Sequence, residues 1–98
     1  MSSAPRPSAF PEPVVLYVTN YCGFCRMAEA LLRRIGVPFH AVDVTRDDGA
    51  RAWLRGETGQ RTVPQIFIRG RSIGGFQELY GLHRAGRLDE LLAAAPTG

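Results

Sequence analysis

Five apolar residues in a row, Val14 to Val18, predict a short strand buried on both faces. Ala28, Leu31, Leu32 and Ile35 follow at i, i+3, i+4 and i+7, one apolar stripe on a helix that Gly36 ends as its C-cap. Val37 to Val44 supplies a second strand, and strand, helix and strand in so short a span make a right-handed parallel crossover. Thr45, with Asp48 three residues on, predicts a capping box that opens a second helix carrying Trp53 and Leu54 and stopping by Gly56. Pro64 to Ile68 and Ser72-Ile73, joined by Arg69-Gly70-Arg71, predict an antiparallel hairpin. After Gly74-Gly75 comes a helix with Phe76, Leu79, Tyr80 and Leu82, and Gly86 separates it from a last helix with Leu88, Leu91 and Leu92. The order β-α-β-α-β-β-α-α predicts an α/β domain: a mixed four-stranded sheet with helices on both faces.

Length narrows the picture to one domain, since 98 residues enclose a single core. The apolar content of 45% is that of an ordinary globular chain, and no run approaches the roughly eighteen apolar residues of a membrane span. The net charge of +3 comes from scattered arginines rather than a basic block. That pattern gives a nucleic-acid or membrane partner no support and suits a mildly basic rim for a small anion. Residues 1–13 are rich in Ser, Ala and Pro, with Arg6 as the lone basic residue and no secretory apolar stretch. They are expected to form a disordered leader before a domain at 14–98. The expected location is cytoplasmic, a reducing compartment where a CxxC pair is catalytic or metal-binding.

Cys22 and Cys25 are the only cysteines, placed where the first strand ends and the first helix begins. A CxxC pair beside a βαβ pattern reads as a thioredoxin-like redox site. Thiolate is the reactive form, and the unpaired N–H groups and positive dipole end of a helix N-terminus favour it at Cys22. Arg26 adds a cation nearby. Cys25 lies a turn further in on the same face, so Cys22 is the predicted nucleophile and Cys25 the resolving thiol. A structural disulfide across so short a loop would remove little unfolded-state entropy. Zinc would need two more ligands, which His40 and His83 do not supply at paired spacing; neither has a nucleophile or carboxylate at motif spacing either.

Four segments, in this order and spacing, resemble a dithiol glutaredoxin: Tyr21-Cys22-Gly23-Phe24-Cys25, Thr58 to Gln65, Ile66-Phe67-Ile68, and Ile73-Gly74-Gly75-Phe76. The resemblance covers nearly everything from Val14 to Leu92. It implies a thioredoxin fold and thiol–disulfide exchange with glutathione as co-substrate, acting on glutathionylated and disulfide-bonded proteins. It also implies a cis Pro64 that holds the Val63 backbone beside the sulfurs, where it can pair with a peptide-like ligand as an added strand would. Thr62 belongs to the same binding segment. Backbone amides of Phe76 and Gln77, after Gly75, would receive the γ-glutamyl carboxylate at a helix N-terminus. Tyr21 and Phe24 would be walls of the site.

Three positions depart from the family pattern. Gln77 stands where an aspartate usually reaches the γ-glutamyl amine, with Glu78 next door able to compensate. Thr19 stands where a lysine is common, leaving Arg55 and Arg61 to face the glycyl carboxylate as bidentate partners. Gly23 replaces a proline, which loosens the first helical turn. Within the family, a non-proline residue there also accompanies members that share a [2Fe-2S] cluster between two subunits, with Cys22 as the matching ligand and a glutathione thiolate beside it. Cluster carriage by a dimer is therefore an alternative to redox catalysis by a monomer. Use of another low-molecular-weight thiol, or recharging by a thioredoxin reductase, is a further one.

Overall fold

The computed structural model describes residues 5–93; residues 1–4 of the expected leader and 94–98 of the expected domain lie outside the described residues. Its elements run β1 (Val14–Val18), α1 (Gly23–Arg34), β2 (Phe39–Asp43), α2 (Asp48–Thr58), β3 (Gln65–Ile68), β4 (Arg71–Gly74), α3 (Phe76–Arg84) and α4 (Leu88–Ala93). The sheet order is β2-β1-β3-β4. β1 pairs parallel with β2, Leu16 opposite Ala41, and antiparallel with β3, Leu16 opposite Ile66. The mixed four-stranded sheet and the order of elements are those expected from the pattern of the chain.

β1 is central and all five of its residues are buried. Its alternation divides the core in two. Val14, Leu16 and Val18 face Ala28, Leu31 and Leu32 of α1, with Leu79 of α3 and Leu88 of α4 in the same cluster. Val15 and Tyr17 face the other way, toward Val44, Phe67 and the α2 residues Ala50 and Leu54. Burying a side chain such as Leu16 contributes about 1.5–3 kcal/mol. α1 closes as expected, with Gly36 at φ +76 just beyond its C-cap Ile35.

α2 differs from its expected bounds at both ends. Thr45 is not its cap, because the Thr45 hydroxyl donates to Asp43 Oδ1 and accepts the Asn20 N–H at 2.9 Å. The carboxylate of Asp47 takes the cap instead, accepting from Ala50 N–H at 2.9 Å. At the far end the helix passes through Gly56 and stops at Thr58, where Gly59 at φ +73 provides the left-handed residue. The second strand is shorter than expected, because Val37 and Pro38 precede its first ladder pair. The hairpin loop has two residues, Arg69 (φ 52) and Gly70 (φ 84), the left-handed pair of a type I′ turn. Among the described residues no helix is long and apolar enough to cross a membrane.

The proline-rich segment read as a disordered leader makes contacts from Pro5 onward. A 3-10 turn spans Pro7–Ala9, with proline at its start, where a missing N–H costs nothing. The Arg6 guanidinium lies 4.1 Å from the Trp53 ring centroid, and Phe10 stacks on His40 at 4.0 Å. The Tyr17 hydroxyl donates to the Pro5 carbonyl at 2.6 Å. Burial pushes the Tyr17 phenol up from 10.0 to about 12, with Arg6 pulling the other way. The folded state therefore keeps a proton that the unfolded chain sheds near pH 10, so this stabilisation is whole below pH 10 and is lost as pH rises toward 12. In urea titrations, Tyr17→Phe is expected to cost about 0.5–1.5 kcal/mol at neutral pH and to fall less steeply than the wild type above pH 10. Equal slopes would refute the assignment.

Candidate active site

The site forms where β1 ends and α1 begins. Cys22 is the N-cap of α1, in extended geometry at φ −100 and ψ 112, and its Sγ accepts the Cys25 N–H at 3.1 Å. Sulfur thus does the work that a Ser or Asp oxygen does at most helix starts. Sγ also donates to the Val63 carbonyl at 3.5 Å. Val63 and Pro64 are joined by a cis peptide bond, and the Val63 backbone lies beside the sulfur as the sequence resemblance implied.

Cys25 is fully buried one turn further in, while Cys22 is partly exposed. Burial, with the hydrogen bond to Cys22 second, pushes the Cys25 thiol up from 9.0 to about 12; a Thr19 backbone hydrogen bond and the Arg26 charge pull it down. Cys25 is therefore a neutral thiol at physiological pH. Arg26 is held by the Thr19 carbonyl at 3.2 Å and by Glu29 at 3.3 Å. Thr19 itself is fully buried, and its hydroxyl has no hydrogen-bond partner among the described residues.

A groove of about 580 Å³ runs beside the Val63 backbone. Of the sequence-predicted residues, Phe24, Thr62, Val63, Pro64, Gly75, Phe76 and Gln77 line it together. Tyr21, Arg55 and Arg61 do not. Arg55 lies exposed in the last turn of α2, Tyr21 is exposed next to Cys22, and Arg61 is exposed between the lining residues Gln60 and Thr62. Gln60, Gln65 and Gly74 also line the groove and were not among the predicted residues, and Glu78, expected only to compensate for Gln77, lines it too.

Gln65 has a signal in the sequence: it is the one polar residue of a strand otherwise apolar, and such a residue must find partners inside. Its Oε1 accepts from the Thr58 hydroxyl at 2.7 Å and its Nε2 donates to the Gln60 carbonyl at 2.9 Å. The loop that carries Thr62 and Val63 is thereby pinned to the end of α2. On the opposite wall, Glu78 does not stand free to compensate for Gln77. Its carboxylate accepts the Gly75 N–H at 2.7 Å, the backward half of a capping box for α3. Gly74, at φ +107, leaves the space this carboxylate uses: a Cβ there would stand 2.8 Å from Glu78 Cγ and Oε1. Gly75 approaches the Pro64 carbonyl, which a Cβ would meet at 3.4 Å. Among the described residues no group of three or more His, Cys, Asp and Glu side chains could hold a metal ion.

The family model for glutaredoxin matches residues 14–73. The chain belongs to the glutaredoxin family. It is 44% identical over 82 residues to a glutaredoxin of Pseudomonas aeruginosa, covering 84% of this chain and 98% of that one. It is 41% identical over 87 residues to glutaredoxin-C2 of Arabidopsis thaliana, covering 86% and 77%. Among solved structures, a buckwheat glutaredoxin–glutathione complex superposes with a TM-score of 0.78 at 34% identity, over 83% of this chain and 76% of that one. The sheet, the helices on both faces and the paired cysteines are thus those of a glutaredoxin with a thioredoxin-type fold, and the chain is a thiol oxidoreductase by family.

Two outcomes follow from this geometry. Iodoacetamide at pH 8 is expected to place one adduct on the folded protein, at Cys22, and none at Cys25, as read by peptide mass spectrometry; modification of both at equal rates would contradict the burial of Cys25. Gly74→Ala is expected to destabilise by about 1–3 kcal/mol, because it forces a left-handed alanine against Glu78. Gly81→Ala, in open space within α3, is expected to be neutral or stabilising by up to about 1 kcal/mol. Urea midpoints of the two variants give the comparison.

Proposed function

We propose that this glutaredoxin is a glutathione-dependent thiol–disulfide oxidoreductase acting on protein–glutathione mixed disulfides and on protein disulfides. The observation that carries the reading is the Cys22 sulfur at a helix start, 3.1 Å from the Cys25 amide and 3.5 Å from the Val63 carbonyl, with Cys25 buried behind it. Glutathione suits the groove because Val63 offers a strand-like backbone edge for its peptide unit. The first amides of α3, at Phe76 and Gln77, have no helical acceptor and suit its γ-glutamyl carboxylate. Thr62 and Pro64 form the floor beside that edge, and Phe24 and Phe76 form a wall. Arg61, exposed between the lining residues Gln60 and Thr62, is the nearer of the two arginines in sequence to this floor and supplies a cation for the glycyl carboxylate; Arg55 adds to the field from α2. Tyr21 shields the exposed side of the sulfur.

The Cys22 thiolate attacks the glutathione sulfur of a mixed disulfide. A Cys22–glutathione disulfide forms as the substrate sulfur leaves with the electron pair and takes up a proton. A second glutathione thiolate then attacks the enzyme-bound glutathione sulfur, releasing oxidised glutathione and restoring the Cys22 thiolate. Reduction of a protein disulfide instead leaves Cys22 bonded to the substrate. Cys25 then loses its proton and attacks the Cys22 sulfur, closing the Cys22–Cys25 disulfide and freeing the substrate dithiol. A reducing cytoplasm suits both routes. A shared [2Fe-2S] cluster would draw one thiolate from each chain, at Cys22, and no step above passes through it.

The test is turnover of a glutathionylated peptide with glutathione, glutathione reductase and NADPH. The wild type and Cys25→Ser are expected to turn over and Cys22→Ser to fall to background, whereas reduction of a protein disulfide is expected to fail in both variants. Loss of deglutathionylation in Cys25→Ser would overturn the division of roles, and an inactive wild type would overturn glutathione as co-substrate.

A further inference from the structure

A row of side chains leads away from the groove wall across α1 and α3, and its continuation through Tyr80 and Arg84 is accounted for by neither the groove nor the exchange chemistry. Phe24 stacks on Phe76 with centroids 6.2 Å apart, Phe76 on Tyr80 at 5.8 Å, and the Arg84 guanidinium lies 5.8 Å from the Tyr80 ring. Positions 76, 80 and 84 fall on one face of α3 at i, i+4 and i+8. The row is open to solvent where a fold has no use for it: Phe24 is 54% and Tyr80 38% exposed, with Met27, a turn on from Phe24, at 48%. Its far end is cationic. Arg84 donates to the Tyr80 hydroxyl at 3.3 Å and forms no ion pair among the described residues.

We propose that this row is the docking track for the protein half of a mixed disulfide, and that it selects substrates with an apolar side chain beside the modified cysteine and an acidic one further along. The inference rests on the glutathione-exchange reading above. Continuity and charge both point to this occupant. A mixed disulfide with its glutathione half in the groove places its protein half on the rim around Cys22, and Phe24 and Phe76 are at once groove wall and start of the track. Three steps of 6.2, 5.8 and 5.8 Å set the reach: an extended segment rising ~3.3 Å per residue meets Arg84 about four to six residues from the cysteine. A second copy of the chain fits less well. Stable protein interfaces bury about 800 Å² per partner through roughly 20–30 residues, far more than this short row offers, whereas a transient substrate needs only a few anchors.

The experiment compares kcat/KM for four substrates: the mixed disulfide of glutathione with 2-mercaptoethanol, and a glutathionylated peptide with Leu next to Cys and Asp five residues on, with Lys replacing that Asp or Ser replacing that Leu. The wild type is expected to favour the Leu/Asp peptide over each altered peptide by about three- to tenfold. Arg84→Glu is expected to reverse the Asp-over-Lys preference, and Tyr80→Ser to remove most of the Leu preference, with the small mixed disulfide turned over as by the wild type. Equal kcat/KM for the three peptides, or an Arg84→Glu effect of the same size on the small disulfide, would overturn the track. Failure of the wild type on the small disulfide would instead sink the glutathione reading, and the track with it. Sedimentation at assay concentration closes the remaining route: a wild-type dimer that Tyr80→Ser dissociates would assign the row to a second copy and refute the proposal.

Discussion

A helix N-terminus leaves amide hydrogens with no intrahelical acceptor, and here the first acceptor offered is the Cys22 sulfur, which takes the Cys25 N–H at 3.1 Å. The bond sets the chain's direction as it leaves β1, and it fixes Cys25 on the inner face of α1, where burial keeps its proton on. Both consequences depend on β1 being buried on its two faces, since only a strand anchored so fully delivers residue 22 to the same point each time. The Cys22 sulfur is therefore part of the fold's own hydrogen bonding. Two of its contacts, the Cys25 N–H and the Val63 carbonyl, are backbone groups, which no side-chain substitution at those positions removes directly.

The groove needs three further segments to arrive at that point, and each is tied by a different device. The loop after α2 is held by the buried Gln65 amide, through Thr58 and Gln60. The β4–α3 turn is brought close by two glycines, one supplying a left-handed backbone and the other a near approach to the Pro64 carbonyl. α3 leans on α1 through Phe24 and Phe76. Removing the Gln65 side chain would take the Nε2 donor from the Gln60 carbonyl and one partner from the Thr58 hydroxyl, which keeps the Leu54 carbonyl and the Gln60 N–H, and so would untie the loop from the strand. A polar strand residue is thus what keeps a largely backbone-built site in register.

Most of this was legible where the chain's own periodicity decides the outcome. Val14 to Val18, the α1 stripe with Gly36, the hairpin and the start of α3 after Gly75 follow from local pattern alone, and the cysteines' place between strand and helix follows with them. What the pattern missed was set by distant partners. Thr45 looks like a cap until Asn20, 25 residues away, takes its hydroxyl. Gly56 looks like a stop, yet Thr58 and Gly59 end the helix two residues later. Contacts of Arg6 and Phe10 with Trp53 and His40 have no local sequence signature at all. Within the site, Thr62 to Pro64 and Gly75 to Gln77 were readable only through a family resemblance; Gln60 and Glu78 line the groove because of loop and cap geometry that a linear motif does not carry.

Glu78 shows why a residue-by-residue transfer of roles stops short. Read along the chain, it replaces the charge that Gln77 lacks. In three dimensions its carboxylate is spent on the Gly75 amide, and the space it occupies exists because Gly74 has no side chain. The carboxylate is nonetheless a groove-lining group, so it places a negative charge close to the helix start without filling the amides of Phe76 and Gln77. The helix start thus presents its first amides beside an anion whose position the capping bond fixes. Glu78 is therefore no free substitute for the charge absent at position 77: its carboxylate is engaged in a capping bond one residue on and is positioned by the fold.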